Sequence, residues 1–318
     1  MATSDRAAQS RPAIFHIGAN KAGSTTLQRA LFAQHPQVFN VGKPALRGEG
    51  KSIISAIFDA CDYRSDHPQP LDIETLKRSW RELLSAAEPG QVPVFSHEEM
   101  IRQQFYGRGD PTRMPAAMAA IAGPLKVVMV IRNQLTLIES LFLHKFLQFE
   151  EFQTLDRWLE SDAERSALGY GFYDVASAWA EVVGQHNVGV FLFEELVNDA
   201  HSFANRLCTF VGIDPESGAR LLMQEPENVR KGGRLVAYAK LRSWIFPNLS
   251  LSALLPAALQ PHWRRFIEGG RRPSIEFPPE WRDGLEGYYA IQNRKLAERF
   301  RLPLDAYGYP LGGCEVDR

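Results

Sequence analysis

A loop that contains glycines, one lysine and several hydroxyl residues lies near the start of the chain, within residues 14–26 (IFHIGANKAGSTT). Phe15 and Ile17 alternate as the side chains of a strand do, and residues 27–31 place apolar side chains at the spacing of a helix. The start of a helix presents backbone N–H groups without intrahelical acceptors, together with the positive end of the helix dipole. A strand, loop and helix of this kind bind anions, so the first motif predicts phosphate binding.

The spacing within this loop separates it from the common nucleotide-binding loop. Gly18 and Gly23 are as far apart as the two glycines of a G-x-x-x-x-G-K-[ST] loop, and we expect both glycines to permit tight turns. The lysine, however, lies inside the loop at Lys21, and Ser24 occupies the position where the Walker lysine should be. A P-loop kinase would have that lysine, and an acidic residue ending a second strand to hold Mg²⁺. A small-molecule kinase would share the strand, loop and helix and is an alternative hypothesis, although this chain has Ser24 in place of that lysine and Arg132 in place of that acidic residue.

A second candidate anion site follows the apolar run at residues 126–131. Runs of this kind are typical of buried parallel strands, and this one ends at Arg132. The following segment predicts a helix in which Ser140 lies off an apolar stripe formed by Leu135, Ile138, Phe142 and Phe146. Because a guanidinium donates two parallel hydrogen bonds to phosphate oxygens and a serine adds a third, we expect Arg132 and Ser140 to hold one phosphate.

Titratable residues end a third apolar run, in residues 92–99 (VPVFSHEE). Ligands bind at the carboxyl ends of strands in open α/β sheets, so these residues are candidates for a general base. Alternation along a strand places Ser96 and Glu98 on one face and His97 and Glu99 on the other. A carboxylate would need its pKa raised by burial to act well near neutral pH.

The order Lys21-Ala22-Gly23-Ser24-Thr25 resembles the loop with which sulfotransferases hold 3′-phosphoadenosine 5′-phosphosulfate (PAPS), the activated sulfate donor. The strand, arginine and serine of the second element resemble the part of these enzymes that grips the 3′-phosphate of the donor. The resemblance implies that the 5′-phosphate is bound by Lys21, Ala22, Gly23, Ser24, Thr25 and Thr26. It implies that Lys21 also stabilises charge on the reacting group, and that Arg132 and Ser140 bind the 3′-phosphate.

Further segments extend the resemblance along most of the chain. Residues 228–234 (NVRKGGR) resemble the Arg-Lys-Gly loop of the family, which implies that Arg230, Lys231 and Gly232 close over the 3′-phosphate. Residues 170–196 look like the family's segment of tyrosine, tryptophan and strand, which implies that Tyr170 or Tyr173 stacks on the adenine. Residues 288–310 resemble the closing helix and tail of bacterial members.

The resemblance also bears on the base and the reaction. In carbohydrate-type and many bacterial sulfotransferases a Ser-x-Glu signature occupies the position of Ser96 to Glu98, which implies that Glu98 is the general base. A histidine has this role in cytosolic small-molecule sulfotransferases, so His97 is the alternative. The implied reaction is in-line transfer of a sulfuryl group to a hydroxyl or amine of a small-molecule or saccharide acceptor, without a metal. Adenosine 3′,5′-bisphosphate (PAP) would be the product, and a catalytically inactive binding protein of the same fold is a further alternative.

Strands that alternate with helical stretches indicate an α/β fold, with a mostly parallel, P-loop-like sheet flanked by helices on both faces. Because the phosphate motifs span residues 18–234 and must meet at one site, we expect a single domain with helical insertions over residues 12–318. Residues 1–11 are expected to be a disordered tail. Residues 42–88 and 245–279 carry no recognisable motif and are expected to be excursions on the acceptor side.

Composition and charge exclude several classes of protein. The 318 residues are 45% apolar and 23% charged, and a formal net charge of −1 argues against nucleic-acid binding. Three widely spaced cysteines, Cys61, Cys208 and Cys314, indicate a reducing compartment. We expect a cytoplasmic protein without membrane contact, because no apolar run reaches the length of a span and the N-terminus lacks a signal-peptide core. The sequence contains neither an H-E-x-x-H nor a Cys-x-x-Cys motif, so no metal site is predicted. Nothing in the sequence indicates an oligomeric state.

Overall fold

The computed structural model describes residues 11–41, 53, 55–57, 70–98, 100–101, 110–148, 158–159, 171–224, 256, 259–260, 262 and 277–312. Within these ranges, no helix is both long enough and apolar enough to cross a membrane.

Five parallel strands form one sheet in this part of the chain, in the order β2-β3-β1-β4-β5. The strands are β1 (Ala13–His16), β2 (Val38–Asn40), β3 (Val92–Ser96), β4 (Leu125–Ile131) and β5 (Val188–Leu192). Nearly every strand residue is buried, because a parallel sheet is covered on both faces and selects continuous apolar runs.

The central strand β1 pairs with β3 on one side and β4 on the other. His16 lies opposite Ser96 in β3 and opposite Val128 in β4. Since all the strands are parallel, the segments that follow β1, β3 and β4 leave the sheet at the same edge. Ligands bind at this edge in open α/β sheets, where neighbouring connections diverge.

The helices flank the sheet. They are α1 (Ser24–Thr26), which runs directly into a π-helical stretch (Leu27–Phe32), α2 (Ile73–Leu84), α3 (Arg113–Ala122), α4 (Gln134–Gln148), α5 (Phe172–Val183), α6 (Phe193–Asn198), α7 (Ala200–Val211), α8 (Pro215–Gln224) and α9 (Pro279–Phe300). Single 3-10 turns occur at Gln185–Asn187 and Asp305–Tyr307.

These helices pack in two groups. Helix α5 contacts β4 and β5 and also packs against α3 and α9, while α2 contacts α3. Helix α7 contacts β5 and packs along α8, which contacts the π-helical stretch. Trp179 of α5 and Tyr289 of α9 are the largest fully buried side chains, so the closing helix α9 belongs to the core.

Local sequence explains how several helices begin. The Asp72 side chain accepts a hydrogen bond from the Thr75 amide at 3.0 Å at the start of α2, and Asp199 accepts one from the Ser202 amide at 2.9 Å at the start of α7. Aspartate at this position satisfies an amide that the helix itself leaves without an acceptor.

The predicted single α/β domain with a parallel sheet flanked by helices is confirmed. The strands predicted at residues 14–17, 92–96 and 126–131 are present within one or two residues, and the strand expected within residues 170–196 is β5. The short strand β2 was not predicted. Helix α2 lies within the predicted excursion at residues 42–88. Residues 1–10 of the expected tail and most of residues 245–279 lie outside the described residues.

Candidate active site

The loop after β1 follows the edge of β4 before it turns into α1. The amides of Ile17 and Ala19 donate to the carbonyls of Val128 and Val130, both at 2.9 Å. The chain then turns at Lys21, whose φ is 64°, a left-handed conformation that L side chains adopt at a cost of about 1 kcal/mol. Backbone strain of this kind is concentrated at functional sites, where the surrounding structure holds it in place.

The two glycines of the loop are needed for different reasons. Gly23 has a φ of 82° and supplies the predicted turn. The expectation that Gly18 also permits a tight turn is wrong, because the amides of its neighbours Ile17 and Ala19 both continue the hydrogen bonding to β4. A Cβ at Gly18 would instead lie 2.7 Å from His16 Nε2 and 3.3 Å from Ser24 Oγ, so this glycine is required for space.

Helix α1 begins without a side chain that caps its N-terminus. Its N-cap residue is Gly23, and no acidic residue lies in its first turn. The first turn includes the amides of Ser24 and Thr25, and the first amides of a helix have no acceptor within it. Ser24 is buried and its hydroxyl donates to the Ala19 carbonyl at 3.4 Å, while Thr25 is exposed. The arrangement can receive an anion, as the sequence predicts.

Arg132 follows β4 and reaches back to this loop. Its side chain is 2% exposed, and its Nη1 donates to the carbonyl of Lys21 at 3.0 Å. Its Nε donates to the Thr136 hydroxyl at 3.0 Å, and its guanidinium lies 4.9 Å from the centre of the Phe193 ring. The structure therefore brings the two predicted phosphate elements into direct contact, and it gives Arg132 a role in holding the loop that the sequence did not reveal.

Asn133, which follows this arginine, is held by a cluster of hydrogen-bonded side chains that the sequence did not reveal. The Asn133 amide donates to Glu194 Oε1 at 3.0 Å, and Tyr309 Oη donates to Glu194 Oε2 at 2.9 Å. The Asn133 side chain donates to the Gly308 carbonyl at 2.7 Å and also caps α4 by accepting from the Leu135 amide. Burial, together with the nearby Glu194 carboxylate, raises the pKa of Tyr309 well above its usual value, so its phenol remains a donor.

A buried pair of side chains, Gln134 and Asn293, holds the C-terminal segment against the start of α4. Gln134 Nε2 donates to Asn293 Oδ1 at 2.6 Å, and Asn293 Nδ2 donates to Gln134 Oε1 at 3.1 Å and to the Pro310 carbonyl at 2.9 Å. Both side chains are completely buried. Residues 308–310 thus help to position the start of α4 and the arginine that precedes it.

The candidate base lies beside the loop, at the end of β3. Gln28, a buried residue of the π-helical stretch, donates from Nε2 to Ser96 Oγ at 3.0 Å and to Glu98 Oε2 at 3.3 Å. Ser96 and Glu98 therefore share one side, as alternation predicts. His97 is buried, and its backbone amide donates to the His16 carbonyl at 3.0 Å.

His16, the last residue of β1, also contacts this group through Ser96. Its Nδ1 lies 2.7 Å from Ser96 Oγ, and its ring is completely buried. Burial lowers the pKa of His16 from 6.5 to about 4, and the charge of Glu98 opposes part of this effect. Among the described residues its Nε2 has no hydrogen-bond partner, and this atom faces the space that Gly18 leaves open.

Two further predicted residues lie on helices, and several others are not described. Ser140 is half-buried on α4. Tyr173 is half-buried on α5, and its ring contacts Lys295 and Arg299 of α9 at 5.7 and 5.9 Å. The structure does not describe Glu99, Tyr170, Arg230, Lys231 and Gly232, so these predictions lie outside its range. Over the described ranges, no three His, Cys, Asp or Glu side chains are grouped as metal ligands would be.

Comparison with known proteins agrees with this architecture. The sequence model of the sulfotransferase family matches residues 12–217. A crystal structure of a sulfotransferase from Alicyclobacillus acidocaldarius is similar in fold, with a TM-score of 0.56 and 16% identity over 94% of this chain and 99% of that chain.

Other solved structures match with lower TM-scores. A mouse sulfotransferase, SULT7A1, solved in complex with PAP, gives a TM-score of 0.47 and 15% identity over 93% of this chain and 89% of that chain. The sulfotransferase domain of the curacin biosynthetic pathway gives a TM-score of 0.45 and 13% identity over 68% of this chain and 79% of that chain. None of the curated proteins compared with the chain matches it.

Proposed function

Because the chain belongs to the sulfotransferase family, whose sequence model matches residues 12–217, we propose that it transfers a sulfuryl group from PAPS to a hydroxyl or amine of an acceptor. The observation that carries this proposal is the contact between the two phosphate elements. The buried Arg132 guanidinium donates to the carbonyl of Lys21, within the loop that leads into α1. A cation and a helix start therefore lie side by side, which suits a ligand with two separate anionic groups.

The start of α1 supports this donor. It has no side-chain cap, and the amides of Ser24 and Thr25 are the groups that we propose for the 5′-phosphate. A Cβ at Gly18 would lie 2.7 Å from His16 Nε2 and 3.3 Å from Ser24 Oγ, so this glycine lets the loop pack closely against both side chains. We assign the 5′-phosphate to residues 21–26 and the 3′-phosphate to Arg132, with Ser140, Arg230, Lys231 and Gly232 as further proposed contacts and Tyr173 beside the adenine.

Positioning and charge stabilisation would supply most of the rate, as in the closely related transfer of phosphoryl groups. The Lys21 ammonium would neutralise negative charge that develops on the oxygens of the leaving phosphate and of the sulfonate. In the transfer, the acceptor oxygen forms a bond to sulfur while the bond from sulfur to the phosphate oxygen breaks, and PAP leaves. Nothing in this chemistry requires a metal as an additional reactant.

We propose Glu98 as the general base that takes the proton of the acceptor hydroxyl. Its side chain is partly accessible at the end of β3, whereas His97 is buried. Glu98 also shares a hydrogen-bond network with Gln28, which leads from the phosphate-binding loop. These contacts favour Glu98 over His97, which stays the alternative.

The acceptor and the compartment are further proposals. The Ser-x-Glu sequence supports a saccharide or another hydroxyl-bearing small molecule as acceptor. The odd number of cysteines supports a reducing, cytoplasmic location. Cys208 is a free, buried thiol whose pKa burial raises to about 12, so it is poorly suited to redox chemistry.

Binding of nucleotides by the full-length protein tests the donor site. Isothermal titration calorimetry would compare PAP with ADP, and with ATP in the presence and absence of Mg²⁺. We expect micromolar or tighter binding of PAP without Mg²⁺ and much weaker binding of ADP, which lacks the 3′-phosphate. Preference for ATP with Mg²⁺ would indicate a kinase, and binding of neither would indicate a catalytically inactive relative.

A variant of Arg132 tests whether PAP binding depends on the planar guanidinium or only on the positive charge. Arg132→Lys keeps the cation and loses the planar fork, so we expect PAP binding to weaken about tenfold or more. Arg29→Ala removes an exposed cation from the neighbouring π-helical stretch and serves as the control for net charge. Equal losses of PAP affinity in the two variants would contradict a specific contact with the 3′-phosphate.

A further inference from the structure

Glu98 is connected to a buried group of polar side chains that the proposed reaction does not use. Gln28 Nε2 donates one hydrogen to Glu98 Oε2 at 3.3 Å and the other to Ser96 Oγ at 3.0 Å. Because both amide hydrogens are used, the orientation of the Gln28 amide is determined by these two acceptors. Gln28 and Ser96 are buried, so water does not readily replace either contact.

The hydroxyl of Ser96 extends this network to His16. Ser96 Oγ, which accepts from Gln28, also lies 2.7 Å from His16 Nδ1. Because the serine oxygen has two acceptor positions and one hydrogen, it donates to Nδ1 in one imidazole tautomer and accepts from Nδ1–H in the other. The burial that lowers the pKa of His16 to about 4 keeps the ring neutral at physiological pH. The network therefore runs from Glu98 through Gln28 and Ser96 to a neutral His16.

We propose that Gln28 is a positioning residue for Glu98, and that Ser96 and His16 act on Glu98 through Gln28. The amide of Gln28 holds one carboxylate oxygen, which limits the rotation of a side chain that is only partly buried. It also stabilises the ionised form of the carboxylate, since a hydrogen bond to the charged form favours that form. This inference rests on the proposed function only in calling Glu98 the base.

Gln28 belongs to the same segment of chain as the proposed phosphate-binding residues. Gln28 follows Thr26 by two residues, in the π-helical stretch that continues α1. Single π-helical turns are uncommon and occur often at functional sites, where they redirect side chains. The anion site and the carboxylate are therefore linked through one short stretch of chain.

The test measures the titration of Glu98 itself and needs no acceptor. Full-length protein labelled with carbon-13 at the glutamate side-chain carboxyl would be titrated by NMR, with the Glu98 signal identified by its absence in Glu98→Gln. Gln28→Met keeps the length of the side chain and removes both donors. We expect the Glu98 midpoint to rise by about one pH unit in this variant, which is a tenfold change in the protonation constant. Gln34→Met, an exposed position at the end of the same helical segment, should leave the midpoint unchanged.

Ser96→Ala provides a second, smaller change that keeps the test decisive if Gln28→Met does not fold. We expect the midpoint to rise in the same direction by a smaller amount, because Gln28 loses one of its two acceptors. In the Gln28→Met background, Ser96→Ala should add no further shift, whereas independent structural effects would add. The titration would be repeated in His16→Asn, because His16 faces the same network and titrates in the acid range. The asparagine oxygen can still accept from Ser96.

The outcomes distinguish this inference from the proposed function. An unchanged Glu98 midpoint in Gln28→Met, or additive shifts in the double variant, would overturn the positioning role whether or not the protein transfers sulfate. A shifted midpoint with coupled variants supports that role. If the same protein neither bound PAP nor transferred a sulfuryl group, the positioning would stand and the proposed function would fail.

Discussion

Replacing His16 by asparagine should remove a defined part of the acid sensitivity of the fold. The His16 ring is completely buried, and burial lowers its pKa from 6.5 to about 4. The folded state therefore binds a proton less readily than the unfolded chain. Asparagine cannot be protonated in this range, but its side-chain oxygen can still accept a hydrogen bond from Ser96.

The sign and size of the effect follow from the two pKa values. The contribution of neutral His16 to stability is complete above pH 6.5 and is lost as the pH falls toward 4, because the unfolded chain takes up the proton first. With a pKa of 6.5 in the unfolded chain and about 4 in the folded protein, the loss is about 2 kcal/mol at pH 5. It approaches about 3 kcal/mol below pH 4, where both states are protonated.

Urea unfolding at pH 7.5 and pH 5.0 measures this difference. The free energy of unfolding of the wild type should fall by about 2 kcal/mol more between these pH values than that of His16→Asn. The variant also loses the contact between His16 and the Phe32 ring, which changes its stability at every pH. The quantity to compare is therefore the change in the free energy of unfolding between the two pH values. His186→Asn controls for the loss of an exposed histidine. The same pH dependence in wild type and His16→Asn would refute a buried, neutral His16.

Three other substitutions test separate parts of the site. Lys21→Ala should lower the rate of sulfuryl transfer by about 10²–10³-fold, as measured by PAP release, and an unchanged rate would remove Lys21 from the mechanism. Gly18→Ala places a Cβ 2.7 Å from His16 Nε2, so urea unfolding should show a loss of about 1–3 kcal/mol, and full stability would mean that the space is not needed. Tyr309→Phe removes a donor to the Glu194 carboxylate and should cost about 1.5–3 kcal/mol in the same assay; no loss would show that this contact does not fasten the C-terminal segment.

The elements that carry strong local signals could be predicted from the sequence. Buried parallel strands are continuous apolar runs. Strand β3 ends at Ser96 and β4 is followed directly by Arg132, where the runs predict polar residues. The loop after β1 was recognisable because glycine, lysine and hydroxyl residues occur together before a helical pattern. Alternation along β3 also predicted that Ser96 and Glu98 lie on the same side, which their shared contact with Gln28 confirms.

The parts of the site that depend on strand order could not be predicted in this way. The contact between Arg132 and the Lys21 carbonyl joins residues that meet only because β1 and β4 are neighbours. The cluster of Asn133, Glu194 and Tyr309 likewise joins three distant segments. Gln28 had one usable signal, since it is a polar residue in a helical segment that is otherwise largely apolar and buried, but its partners belong to β3.

The transfer of label from sulfur-35 PAPS tests the central claim most directly. Full-length protein would be incubated with labelled PAPS and a panel of saccharides and small hydroxyl compounds, with product label and PAP release measured together. We predict label in at least one acceptor with equal release of PAP, and loss of both in Glu98→Gln while PAP binding is retained. Equal transfer by Glu98→Gln would contradict the role of Glu98 as base. Transfer of phosphate from ATP in place of sulfate would contradict the proposed function itself.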